Sequence, residues 1–210
     1  MANDDTIAAR GGLLPVEYPY GNYRKNWYRL TTSAVAVYVG QPMDTDANGQ
    51  VLPATASTAN NYMLGPALGF ADDQFTVGAA GGALPAAMLS LTAGPFMPAL
   101  TNGWVLIADD PDQIFVMQAA TDTAITTANL MDSTTFTYRS TSGNTTTGYS
   151  TAELSGTQCT TTGSGALQVI GLLPQRNSDG TLNSVGNYAK VKVRITNHRL
   201  GWRPVGIGAI

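Results

Sequence analysis

At 210 residues the chain is long enough for one large domain or two small ones, and a formal charge of −3 argues against the basic balance of a general nucleic-acid binder. Charged residues make up 12 %, about half the ordinary share, and twenty-seven Thr, twenty-seven Ala and twenty-three Gly fill the space. A single cysteine, Cys159, excludes an internal disulfide, and with a single histidine, His198, it cannot supply the usual four-ligand zinc shell.

Residues 1–27 read as an extended arm. Pro15 and Pro19 force their predecessors away from helix, and four tyrosines and a tryptophan between Tyr18 and Tyr28 are too many rings for a solvated tail. The arm is expected to lie against a neighbouring molecule or against its own barrel. The opening Met-Ala-Asn-Asp-Asp lacks the basic end and apolar run of a secretory signal, so a protein made in a cytoplasm is expected, one that stays soluble unless it leaves as part of an assembly.

A first β-rich region is expected over 28–100. Arg29 to Val39 reads as a strand with a Val35/Val37/Val39 alternation, and Asn48-Gly49 marks a hairpin before Gln50 to Thr55. Tyr62 to Phe70 is another extended segment. The apolar stretch from Val77 to Leu100 is broken by four glycines at 78, 81, 82 and 94 and by Pro85, Pro95 and Pro98, so no membrane helix is expected there.

A second β-rich region is expected over 101–210. Gly103 to Ala108 and Gln113 to Gln118 are strands around the turn Asp109-Asp110-Pro111-Asp112. Thr123 to Leu130 allows a short helical turn, and Thr134 to Arg139, Thr151 to Leu154, Ala166 to Leu173 and Tyr188 to Thr196 supply further strands. Short strands with turn signals and little helix predict an all-β chain: one or two small barrels or a sandwich, with the N-terminal arm appended.

Charge is segregated along this order. From Leu30 to Tyr138 there is no Lys or Arg against nine aspartates, whereas the last seventy-two residues carry seven basic side chains against Glu153 and Asp179. Such separation favours complementary contacts between copies or with a larger surface. Lys190, Lys192 and Arg194 alternate with Val191, Val193 and Ile195, which describes a strand with one solvated face without any nucleic acid.

Enzyme chemistry is not visible. His198 sits in Thr-Asn-His-Arg without a nucleophile motif, so a structural hydrogen-bonding role is expected. Asp44-Thr45-Asp46-Ala47-Asn48-Gly49 begins like a calcium loop, but its twelfth position is Thr55 rather than glutamate, which favours a polar hairpin turn. Asp109, Asp110 and Asp112 could attract a cation or a neighbour's arginine. Cys159 reads as a small buried hydrophobe. No cofactor and no metal are expected.

Two groups of segments carry a resemblance. Ala36-Val37-Tyr38-Val39-Gly40-Gln41-Pro42-Met43, Asn48-Gly49-Gln50-Val51-Leu52-Pro53-Ala54-Thr55 and Leu64-Gly65-Pro66-Ala67-Leu68-Gly69-Phe70 resemble the barrel of tailed-bacteriophage head decoration proteins. Leu106 to Gln118 is similar to a stretch of phage virion structural proteins, and would pair with the late strand Ala189 to His198. Together they span roughly half the chain. The resemblance implies a non-enzymatic cement protein on the outer capsid surface of the virion, made in the bacterial host cytoplasm. Its implied partner is the major capsid protein, and its implied state a homo-oligomer, a trimer before a dimer, with no nucleic acid and no membrane. Such decoration proteins are often shorter, and the aromatic arm has no counterpart in them; a tail, fibre or adhesin module recognising a host-surface glycan or protein is the alternative.

The interface residues expected are Tyr18, Tyr20, Tyr23, Arg24, Trp27 and Tyr28 on the arm, because Tyr, Trp and Arg dominate interface hot spots, with Asp109, Asp110 and Asp112 as the acidic partners. The same rings could instead cap the chain's own barrel. Removal of residues 1–27 is expected to leave a folded protein without its surface affinity.

Overall fold

The computed structural model describes residues 3, 11–17, 23–30, 35–56, 62–72, 96–99, 101–122, 124–159 and 165–201. The chain is all-β, as its composition and turn spacing predict. Its strands are β1 (Leu14–Glu17), β2 (Lys25–Leu30), β3 (Pro42–Thr45), β4 (Val51–Pro53), β5 (Gly65–Asp72), β6 (Gly103–Ala108), β7 (Ile114–Gln118), β8 (Ser133–Thr134), β9 (Phe136–Gly143), β10 (Ser150–Leu154), β11 (Leu167–Leu172) and β12 (Lys190–Ile195). The helical turn expected between strands is a single 3₁₀ turn, Thr127–Asn129.

Strands β2-β4-β3-β5-β6 close into a barrel. The hairpin at Asn48-Gly49 forms as expected: Gly49 takes φ +75°, and the Asp46 carboxylate accepts the N–H groups of Asn48 and Gln50, both at 2.8 Å. The barrel interior holds Leu30, Met43, Val51, Leu64, Phe70, Val105 and Ile107, one side chain in two along each wall, as the pleat requires.

The second unit is a five-stranded sheet, β1-β7-β12-β11-β8, with the β9–β10 hairpin packed across it. The core between them contains Leu13, Phe115, Met117, Phe136, Leu154, Val169, Val191 and Val193. β12 shows the expected alternation, with Val191, Val193 and Ile195 buried, and it pairs antiparallel with β7 from Lys190↔Gln118 to Arg194↔Ile114.

The expected boundaries at 27/28 and 100/101 do not coincide with these units. Lys25–Leu30 straddles the first, and β6, beyond the second, closes the barrel by pairing six residues of β2, from Lys25↔Ala108 to Leu30↔Gly103. The arm is likewise absorbed. Its β1 is an edge strand of the second unit, paired with β7 through Leu14↔Val116, while its last residues begin the barrel. The barrel is therefore an insertion between two hydrogen-bonded neighbours, β1 and β7. Arg29 to Val39 is not one strand either: β2 ends at Leu30, Val37 bridges Met97, and Val39 bridges Tyr149 of the second unit. Most of Val77 to Leu100 lies outside the described residues. Among the described residues no helix is long and apolar enough to cross a membrane.

Candidate functional site

A densely bonded, buried polar group stands where the chain enters and leaves the barrel. Asp109 follows β6, and its side chain is fully buried. Arg24, immediately before β2, donates from Nε to Oδ1 at 3.1 Å and from an Nη to the Asp109 carbonyl at 2.7 Å. Asn26 donates to Oδ2 at 2.8 Å, and the Tyr28 hydroxyl donates to the same oxygen. The backbone closes the ring, with Asp109 N–H on the Arg24 carbonyl at 3.3 Å. Alternation along β2 explains the set: Asn26 and Tyr28 share the face that continues into the barrel, and their donors reach the carboxylate at its mouth. Burial, then the Asp109 bond and charge, pushes the Tyr28 phenol well above its ordinary range. The phenol therefore stays protonated and stays a donor.

A second tie uses Gln41, which is fully buried. Its Oε1 accepts the Tyr38 N–H at 2.9 Å, and its amide donates to the Tyr138 hydroxyl at 3.3 Å. Burial pushes the Tyr138 phenol up to about 12. The Tyr38 ring lies on Gly143, where a Cβ would sit 2.1 Å from ring carbon, so only glycine lets hairpin and barrel meet.

The third tie is made by the segment after β12. Met63 and His198 form a parallel bridge, the Met63 N–H reaching the Asn197 carbonyl at 3.0 Å and the Arg199 N–H the Met63 carbonyl at 3.0 Å. Arg199 grips both Asp44 oxygens, at 2.6 and 3.0 Å, and lies 4.4 Å over the Tyr62 ring. His198 is buried, and its Nδ1 accepts the Leu200 N–H at 3.0 Å, which puts the ring proton on Nε2. Burial, only partly offset by Asp109, lowers its pKa from 6.5 to about 4. His198 thus holds structure as a neutral ring.

The second unit has a counterpart hub. Buried Glu153 accepts from Arg139 at 2.5 Å and from the Gln118 amide at 3.3 Å, and Arg139 lies 5.5 Å over the Tyr188 ring. On the open sheet face Lys192 pairs with Glu17 of β1.

Of the residues expected to form an interface, the structure gathers Arg24, Tyr28 and Asp109 into one internal hub. The arginine that the acidic turn attracts is the chain's own. Asp110 shapes the turn by accepting the Asp112 N–H at 3.0 Å, and Asp112 is exposed. Tyr23 packs against the core of the second unit, and Trp27 stands on the outer barrel wall, partly exposed. Tyr18 and Tyr20 lie outside the described residues. Asn26, Gln41 and Arg199 carry the ties without having been singled out by the sequence, for no local motif marks an amide or guanidinium whose partner is 83, 97 or 155 residues away.

The segregated charge also acts within one molecule. Arg24–Asp109 and Arg199–Asp44 join the basic ends to the acidic middle. Asp44 and Asp46 of the calcium-like turn are engaged by Arg199 and by backbone N–H groups, and among the described residues no three His, Cys, Asp or Glu side chains form a metal-holding group. Cys159 is half-buried with its thiol toward the Ser155 carbonyl, and burial raises its pKa. The chain matches no family model, no curated protein and no solved structure.

Proposed function

We propose that this chain is a non-enzymatic structural protein of a virion, which binds the capsid shell from outside and stabilises it as a cement. The observation that supports this reading is the Asp109 hub. A fully buried carboxylate bonded by three side chains braces the neck of the barrel instead of facing a cleft. Its three side-chain donors occupy three of the roughly four lone-pair sites of the carboxylate, which holds it as a structural brace. A protein built this way presents fixed surfaces, and clamping is the use to which fixed surfaces are suited. The low-charge, hydroxyl-rich exterior fits the same role, because interface cores are depleted in Lys, Glu and Asp.

The test is electron microscopy of purified particles, together with binding of the full chain to particles stripped of it. High copy number over the shell and saturable rebinding are expected. Absence from assembled particles overturns the reading, and a few copies confined to the tail move the protein to the fibre or adhesin alternative.

A further inference from the structure

The chain contains two Asn-Gly pairs, Asn48-Gly49 and Asn102-Gly103, and the fold treats them differently. An asparagine before glycine carries a latent reaction. The following backbone nitrogen can attack the side-chain amide carbon, because glycine has no Cβ to obstruct the approach and turns freely about its own bonds. The reaction needs the pair to leave its folded geometry locally, so exposure and strand pairing decide which asparagine is competent.

Asn48-Gly49 sits at the tip of the β3–β4 hairpin. The loop is closed by the Asp46 N–H on the Gln50 carbonyl at 2.8 Å, and Gly49 stands in the left-handed region that ends such three-residue loops. Ala47, Asn48 and Gly49 are all exposed, and a Cβ at Gly49 would meet nothing within 4 Å. The Gly49 N–H reaches the Asp46 carbonyl at 3.3 Å, and Asn48 Nδ2 reaches Asp46 Oδ2 at 3.5 Å, both at the long end of hydrogen bonding. Neither the attacking nitrogen nor the amide it attacks is locked.

Asn102-Gly103 is the internal control. Asn102 is also exposed, but Gly103 opens β6 and is buried, paired with Leu30 of β2 on one side and Asp72 of β5 on the other. A Cβ there would lie 2.5 Å from the Ala71 carbonyl oxygen and 2.6 Å from the Met97 methyl carbon. The Gly103 nitrogen cannot turn toward the Asn102 side chain without parting the barrel wall.

We propose that Asn48 is a site of spontaneous deamidation, open at this Asn-Gly pair and closed by the fold at the other. The Gly49 nitrogen bonds to Asn48 Cγ, ammonia leaves with the proton of the Gly49 N–H, and a five-membered succinimide remains. Water then opens the ring at either carbonyl, giving aspartate or isoaspartate at 48. The net change is one water consumed and one ammonia released. Either product adds a carboxylate beside Asp46, in a middle region that is already acidic. Isoaspartate also brings an extra main-chain carbon into a loop whose turn depends on the Asp46 carboxylate accepting the Asn48 and Gln50 N–H groups. The change marks the age of the molecule, whatever surface the protein binds.

Peptide mapping by mass spectrometry tests it, on the full chain aged in mildly alkaline buffer at physiological temperature beside a sample aged in urea. In the folded chain the peptide carrying Asn48 should gain the mass difference between NH and O, in two chromatographic forms. The peptide carrying Asn102 should keep its mass. In urea both should convert, because no strand pairing protects either glycine. Asn48→Gln, which would need a slower six-membered closure, should abolish the acidic isoform on ion exchange, and Asn102→Gln should leave that isoform as it is in the wild type. A folded chain in which Asn48 keeps its mass, or in which Asn102 converts as fast as Asn48, overturns the proposal.

Discussion

The barrel and the sheet unit solve the same problem, burying a β surface, by different means. The barrel closes on itself and leaves no edge, while the second unit stacks a hairpin on an open sheet and must protect its edges. Its edge strands show that protection: β1 carries Pro15, a break in register before Glu17 and an exposed charge, and β8 is two residues long. The hairpin strand β9 is also interrupted, its partners jumping from Tyr138 to Gly143 where β10 moves only from Ala152 to Ser150. Strand addition is thus disfavoured on these edges, and association falls to side-chain surfaces. The two units also differ in independence. Ala54, Met63 and Ala108, which flank barrel strands or end them, pack into the core of the second unit, so the barrel is seated in its neighbour.

The largest effect that can break this comparison is truncation. Removing residues 1–27 deletes Leu13, β1, Arg24 and half of β2, so the chain should fail to fold, and its amide spectrum should collapse to random-coil dispersion. A well-folded truncated chain would restore the arm as a separate element. Next come the hubs. Phe136→Ala in the second core should cost about 3–5 kcal/mol. Asp109→Ala, which strands the Tyr28 and Asn26 donors at the barrel mouth, should cost about 3 kcal/mol. If urea unfolding remains a single transition in both variants, the seating is strong enough to couple the units; two separated transitions would show that it is not.

A smaller effect is tied to pH. His198 is held neutral, with its folded pKa depressed to about 4 against 6.5 when unfolded. The unfolded chain therefore binds the extra proton first as pH falls. Stability from this group is complete above 6.5, drains away between 6.5 and 4, and is lost below, by about 3 kcal/mol at most. His198→Gln should flatten that part of the stability–pH curve measured by urea titration. The smallest effect belongs to Lys192→Ala on the open sheet face, whose ion pair with Glu17 is exposed and should be worth under about 1 kcal/mol.

Much of this molecule is written locally. Asn48-Gly49 sets a left-handed turn, the Val191/Val193/Ile195 alternation sets which face of β12 is buried, and Gly and Pro spacing excludes long helix. Each of these depends on a few neighbouring residues, so the all-β class and most strands follow from the sequence alone. The β7–β12 pairing follows too, through a resemblance and not from periodicity. The candidate site was legible only in its members: Arg24, Tyr28 and Asp109 stand out by type, but nothing local says that they face one another. That was decided by the β2–β6 register, since a one-residue slip would turn Tyr28 outward and Trp27 into the barrel. The same register separated the aromatic arm into an internal donor and an outer wall, and the long-range return of the chain brought Arg199 to Asp44. Contacts across such separations depend on how closed sheets align, a property of the whole backbone that no short stretch of residues encodes.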